Sequence, residues 1–371
     1  MRFTRRHLLV SALAAAAVLG FLDFEWLDTY RYSIASPDFF VYYLASQIGQ
    51  AHGWTAMYDP SLSVPATTRL VGRPLPYLNP PELAWLVMPL SWLPYAVAEW
   101  IWRAILVAAL AVTGYLAAPG SPRSRIGHGL AAALLLPVFI SIMFGQVSLI
   151  MTAALALTWW LIRRGQPWLA GLALAAIFLK PQAAFMVPLA LLLAGYWRVL
   201  VSWSAGTLLL AVVAFLAVGT SVFQMVAESV ALVHGVAGPV QISLERQVPP
   251  PIAVVGIVLT LALASVIIIR TRGQGPSIPM AAGIVVSVMV SPYINFYDLS
   301  AVLLAGWFVL SAPAPSWQRA LTFAMYVPLY LAPAWPLLAL IYVAGWLMSL
   351  TAIQEQNGHA DDADTRAHLA A

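Results

Sequence analysis

Apolar runs recur along the whole chain, separated by short polar or proline-containing breaks. Most are close to the roughly 20 residues that a helix needs to cross a hydrocarbon core. Lipid offers no hydrogen bonds to a backbone, so a crossing segment must be a helix or part of a closed barrel. The runs are continuous, whereas barrel strands alternate over about ten residues, so the pattern predicts helices. The expected fold is an all-α polytopic membrane protein with about 9–11 transmembrane or re-entrant helices.

The order of segments follows from this pattern. A basic start (Arg2, Arg5, Arg6) precedes the apolar run Leu8–Leu22, which reads as a retained first helix rather than a cleaved signal. Residues 23–93 form a long external loop rich in Tyr, Trp and Pro, with an amphipathic interfacial helix near Pro37–Gln50. Loops of that length without a fold of their own are usually functional. Crossings then alternate from Pro94 onwards, and a second external loop occupies 219–250. Two pieces, Trp168–Leu179 and Gln182–Tyr196, are short and read either as crossings or as a re-entrant pair with Lys180-Pro181 at its tip. Residues 1–352 make a single integral-membrane domain, and 353–371 a disordered cytoplasmic tail.

Composition agrees. Hydrophobic residues make up 62% of the chain and charged residues 9%, where a soluble domain has about 25% charged residues. The formal charge of +4 needs no nucleic acid to explain it. Arg123, Arg125, Arg163, Arg164, Arg198, Arg270, Arg272 and Arg319 sit in short connections, on the side where positive loops stay cytoplasmic. That places both termini inside, and the connections at Gly145-Gln146 and Asn295–Asp298 outside. With no cysteine and six scattered histidines, no metal site is expected, and no nucleotide-binding or hydrolase motif implies a cofactor.

The polar residues converge on the external face: Asp38, Tyr42, Tyr77, Asn79, Gln146, Lys180, Gln182, Arg246, Asn295, Tyr297 and Asp298. Ionisable groups at a bilayer are costly and therefore candidates for function. Asp38 suits a general base, with helix capping as its other reading. Lys180 suits a lipid phosphate, or else is a lysine snorkelling from a helix end. The amides and tyrosines suit sugar hydroxyls, and Glu99 with Arg103 reads as a structural i, i+4 pair. Besides an enzyme, these features fit a secondary transporter or lipid flippase, or a non-catalytic envelope assembly protein.

The series Pro37-Asp38-Phe39 with Tyr42-Tyr43, Tyr77-x-x-Pro80-Pro81, Gly145-Gln146, Ala170-Gly171 and Leu179-Lys180-Pro181 resembles glycosyltransferase family 87, from the first helix to about residue 300. That family comprises GT-C-type integral-membrane enzymes, among them mannosyltransferases that use polyprenol-phosphate-mannose. The resemblance implies a metal-independent, inverting hexosyltransferase in a bacterial inner membrane, with its active site periplasmic. It would move mannose or another sugar from a polyprenyl-phosphate donor to an envelope glycolipid or glycan. Asp38 would be the base, Lys180 and Arg246 would face the donor phosphate, and the remaining polar residues would bind sugar or acceptor. Here Leu78-Asn79 separates Tyr77 from Pro80, where the family more often has Tyr-x-Pro-Pro.

Overall fold

The computed structural model describes residues 16–25, 36–221, 223, 227 and 241–353. The start of the first apolar run, residues 26–35 of the first loop, most of the second loop and the tail from 354 lie outside the described residues. Among the described residues there is no strand, and one isolated antiparallel bridge joins Gln241 to Asn295. The chain is an all-α polytopic membrane protein.

Helix α1 covers residues 16–25. The first loop then folds into α2 (Pro37–His52), α3 (Pro60–Val71) and α4 (Pro81–Val87), each opened by proline at a first-turn position where the missing N–H costs nothing. Helix α2 differs from the amphipathic interfacial helix expected near Pro37–Gln50. Ten of its sixteen residues, from Pro37 through Gly49, are buried inside the protein. Its aromatic side chains explain why: Phe39 stacks on Trp102 at 5.3 Å, and Tyr43 and Phe40 meet Tyr95 edge-on. Ser36 stands at the N-cap position of this helix, and its side chain ties that end to the rest of the fold instead of capping it. Its hydroxyl donates to Met143 O and accepts from Arg103 Nε, and Arg103 is fixed by Glu99 at 2.8 Å, the structural pair read from the spacing.

The membrane part follows. Helices α5 (Tyr95–Ala117), α6 (Pro122–Ala133), α7 (Leu136–Phe144), α8 (Ser148–Arg163) and α9 (Pro167–Leu174) lead to a break around Lys180. After it come α10 (Val187–Leu193), α11 (Trp197–Val218), the single turn α12 (Leu244–Gln247), α13 (Pro250–Arg270) and α14 (Ser277–Val290). Helices α15 (Ser300–Leu310), α16 (Ser316–Ala324), α17 (Tyr326–Leu331) and α18 (Pro336–Ser349) complete the described fold. Among the described residues α5, α11 and α13 are individually long and apolar enough to span a bilayer, and α6 with α7 forms a pair bent by 69°. The bend falls at Leu134-Leu135, and Pro137 in the first turn of α7 accounts for a fresh start there.

Burial sorts these helices into a lipid-facing set and an inner set. Leu208, Leu209 and Leu216 on α11, and Val255, Leu259 and Ile269 on α13, are all more than half exposed although fully apolar. Such surfaces suit contact with lipid. By contrast all eleven residues of α15 are buried, as are most of α14, and these two helices pack side by side at the centre. Helix α9 lies against α11, where a Cβ on Gly171 would strike the Val199 carbonyl.

One buried acid lies apart from this core. Glu82 in the first turn of α4 is 7% exposed, and among the described residues neither carboxylate oxygen has a hydrogen-bond partner on another residue. Burial raises its pKa to about 7. A carboxyl raised in the folded state favours folding while protonated, and that contribution is lost as pH rises from the unfolded value through about 7. Glu82→Gln is therefore expected to stabilise the protein at pH 8 and not at pH 5, as read by thermal unfolding in detergent. Equal shifts at both pH values would count against this assignment.

Candidate functional site

The first turn of α2 presents Asp38 beside the turn that joins α7 to α8. That turn needs Gly145. Its φ is +73°, the left-handed region, and a Cβ there would lie 2.5 Å from Phe39 Cβ. Trp102 Nε1 donates to Gly145 O at 2.8 Å and locks the turn. The next residue, Gln146, is thereby aimed at α2, and its Nε2 donates to Asp38 Oδ2 at 2.5 Å.

Asp38 is not the cap of its helix: Ser36 holds that position, and the Asp38 carboxylate turns to Gln146 instead of the helix N–H groups. Asp38 is partly exposed, and its Oδ1 accepts no hydrogen bond among the described residues. Burial raises its pKa. The Gln146 hydrogen bond and the charges of Lys180 and Arg73 oppose that rise, and Asp298 adds to it.

From Gln146 the network continues inward. Gln146 Oε1 accepts from Tyr42 OH at 3.3 Å and from Lys180 Nζ at 2.9 Å. Lys180 sits at the break between two short 3₁₀ turns, Ala175–Leu179 and Pro181–Ala183, with its side chain 5% exposed. Its ammonium also donates to Ser148 Oγ at 3.0 Å and to Asp298 Oδ1 at 2.5 Å, and lies 4.5 Å from the centre of the Tyr297 ring. Ser148 donates to the same Asp298 oxygen at 2.8 Å. Asn295 and Asp298 form a capping box, with Asp298 Oδ2 accepting from Asn295 N, and Asn295 Nδ2 reaches Tyr297 OH and Tyr293 OH at 2.6 and 3.0 Å.

Of the residues singled out in sequence, Asp38, Tyr42, Gln146, Lys180, Asn295, Tyr297 and Asp298 thus form one connected network. The others stand apart from it. Tyr77 OH donates to Pro80 O at 2.6 Å and accepts from Ala84 N at 3.1 Å, so it pins the diproline turn and the start of α4. Asn79 and Gln182 are half-buried and make no side-chain hydrogen bond to the network among the described residues, and Arg246 is exposed on α12. An ammonium has three N–H donors, and the three acceptors around Lys180 occupy them. Lys180 is thus charge-paired and holds the network together. Ser148, Tyr293 and Arg73 belong to the site too. A lone serine, a tyrosine and a loop arginine gave no signal, because only the fold brings them near Asp38.

The arrangement is a carboxylate fixed by one oxygen, with the other unpartnered among the described residues, backed by a buried ion pair and a layer of tyrosines and amides. This suits removal of a proton from a hydroxyl and recognition of a polyol. No curated protein and no solved structure matches the chain. A model of glycosyltransferase family 87 matches residues 77–292, which is more than half of the sequence. The matched stretch holds Gln146 and Lys180, while Asp38 and Asn295–Asp298 flank it, so it is narrower than the likeness read from the motifs. The chain belongs to glycosyltransferase family 87 and is a membrane glycosyltransferase.

Proposed function

We propose that this enzyme moves a sugar from a polyprenyl-phosphate donor to a hydroxyl of an envelope glycolipid or glycan, with inversion, on the external face of a bacterial inner membrane. The observation that carries the reading is the Asp38 carboxylate, held through Oδ2 by Gln146 and without a partner at Oδ1 among the described residues. In the proposed step the acceptor oxygen attacks the anomeric carbon while its proton passes to Asp38 Oδ1. The bond from that carbon to the phosphate oxygen breaks, and the prenyl phosphate leaves with the electron pair on the opposite face. The proton then returns to water.

Supporting roles follow from position. Gln146 and Lys180 orient the base, and the Arg73 charge helps keep it ionised. Tyr42, Asn295, Tyr297 and Tyr293 line the sugar side, and Arg246 supplies positive charge for the departing phosphate. Tyr77, Asn79 and Gln182 shape the acceptor side without joining the network. Family membership takes the place of the transporter and assembly-protein readings.

The test is a donor panel offered to the purified protein in vesicles. Transfer is expected from prenyl-phosphate-linked sugars and not from nucleotide sugars, giving a product whose anomeric configuration, read by NMR, is opposite to that of the donor. Retained configuration, or use of a nucleotide sugar alone, would overturn the proposal.

A further inference from the structure

Hydrogen bonds already made within the protein decide which groups of the site can still reach a substrate. Asn295 has used its own. An amide nitrogen has two N–H donors, and those of Asn295 go to tyrosine hydroxyls, Tyr293 at 3.0 Å and Tyr297 at 2.6 Å. Its side-chain oxygen accepts from Asp298 N in the capping box. Like Tyr77, Asn295 therefore builds the frame of the site, and a sugar needs another partner there.

A second amide, Gln241, stands beside it. Gln241 and Asn295 are the partners of the isolated antiparallel bridge, and Ile242 N donates to Ile294 O at 2.9 Å. That hydrogen bond makes the two a non-hydrogen-bonded pair, in which the Cα atoms lie about 4.5 Å apart and the side chains leave on the same face. Gln241 thus shares the face from which Asn295 reaches Tyr293 and Tyr297, and the Tyr293 hydroxyl lies within electrostatic reach of the Asp38 carboxylate. Ile242, next along, turns the other way into the apolar core. Gln247 Nε2 donates to Gln241 O at 3.0 Å and holds the segment in place. Gln241 is 5% exposed, yet its Oε1 has no hydrogen-bond partner among the described residues. A buried acceptor left unsatisfied opposes folding, and an apolar side chain of the same shape would pack there without that penalty. The bare oxygen points to a ligand that brings the missing donor.

We propose that Gln241 accepts a hydrogen bond from a hydroxyl of the transferred sugar and so helps set which sugar the enzyme takes. This rests on the reading that places Asn295 and Tyr293 on the sugar side, and it names the residue there with a hydrogen bond still to make. A site built to bond a hydroxyl rejects a sugar that lacks it, because the buried acceptor is then left bare.

The test is a cycle between one side chain and one hydroxyl. Gln241→Met keeps the length of the side chain and removes its amide. Binding of short-chain prenyl phosphates carrying mannose, glucose or galactose is measured by calorimetric titration, followed by every monodeoxy form of the sugar bound best. Gln241→Met is expected to raise Kd for the complete sugar about tenfold, equal to ~1.4 kcal/mol. It should leave Kd unchanged for one monodeoxy form, the one that lacks the partner hydroxyl. Gln241→Asn withdraws the amide by one carbon, and the same selective loss is expected of it, which serves if the methionine variant does not fold. Equal rises for every sugar would overturn the assignment by marking a structural amide. No rise for any sugar would overturn it too, because Gln241 would then face the acceptor or a bound water. Should the unaltered protein bind none of these donors, the donor reading falls. GDP-mannose, UDP-glucose and UDP-galactose, with their monodeoxy forms, then run the same cycle, and Gln241 is judged on it by the same two outcomes.

Discussion

Asp38→Asn is expected to lower sugar transfer by roughly 10²- to 10⁴-fold, the usual contribution of a positioned general base. The substitution keeps the size and shape of the side chain, and the asparagine Oδ1 can still accept from Gln146 Nε2. What it removes is the oxygen that takes the proton. Binding should survive, so the loss is expected in kcat with little change in KM, the pattern of an interaction made only in the transition state. The acid limb of the pH–rate profile provides a second reading. Burial raises the Asp38 pKa above the ordinary carboxylate value, so more of the unaltered enzyme is protonated and idle as pH falls. Its activity should therefore decline at a higher pH than a solvated carboxylate would dictate. Asp38→Asn should show no such limb, because nothing at that position titrates. A variant that transfers sugar within about threefold of the unaltered enzyme would remove Asp38 from the base's role.

How much of this was legible in the sequence depends on the kind of signal. The helical class and the membrane setting come from long apolar runs, which lipid makes nearly unambiguous. The convergence of Asp38, Gln146, Lys180 and Asn295–Asp298 came from threading alternate breaks to one side, and the structure unites those residues through hydrogen bonds. What the sequence could not show was which polar group spends its hydrogen bonds on the fold. Tyr77 stands in as suggestive a motif as Asp38, yet its hydroxyl is used at both ends by Pro80 and Ala84. The pairing of Lys180 with Asp298 is likewise invisible along the chain, because the two residues are far apart in sequence and meet only when the break after α9 abuts the loop before α15. Nothing local distinguishes Arg73 from any other loop charge. Helix α2 was read as interfacial because its Tyr and Phe content fits an interface equally well. Only the stacking of Phe39 on Trp102 shows that those rings are spent on packing.

Breaking the Lys180–Asp298 pair is expected to have the second large effect, and on stability as well as transfer. Both side chains are buried, at 5% and 0% exposure, and their charges are 2.5 Å apart. Removing one partner strands the other charge in a low-dielectric interior, at a cost of about 3–5 kcal/mol. Lys180→Met and Asp298→Asn should each approach that loss in denaturant unfolding of the detergent-solubilised protein. The double variant should be more stable than either, because it contains no stranded charge. This non-additivity is what a direct pair produces and what two independent sites do not. Transfer should follow a different pattern. In the double variant Gln146 Oε1 no longer receives the Lys180 ammonium, which leaves Tyr42 OH, at 3.3 Å, as its donor in the network. The amide that fixes Asp38 then loses its anchor, so stability returns while transfer stays low. Additive stability losses would mean that the pair is not a coupled unit, and recovery of transfer along with stability would mean that Lys180 does not position the base.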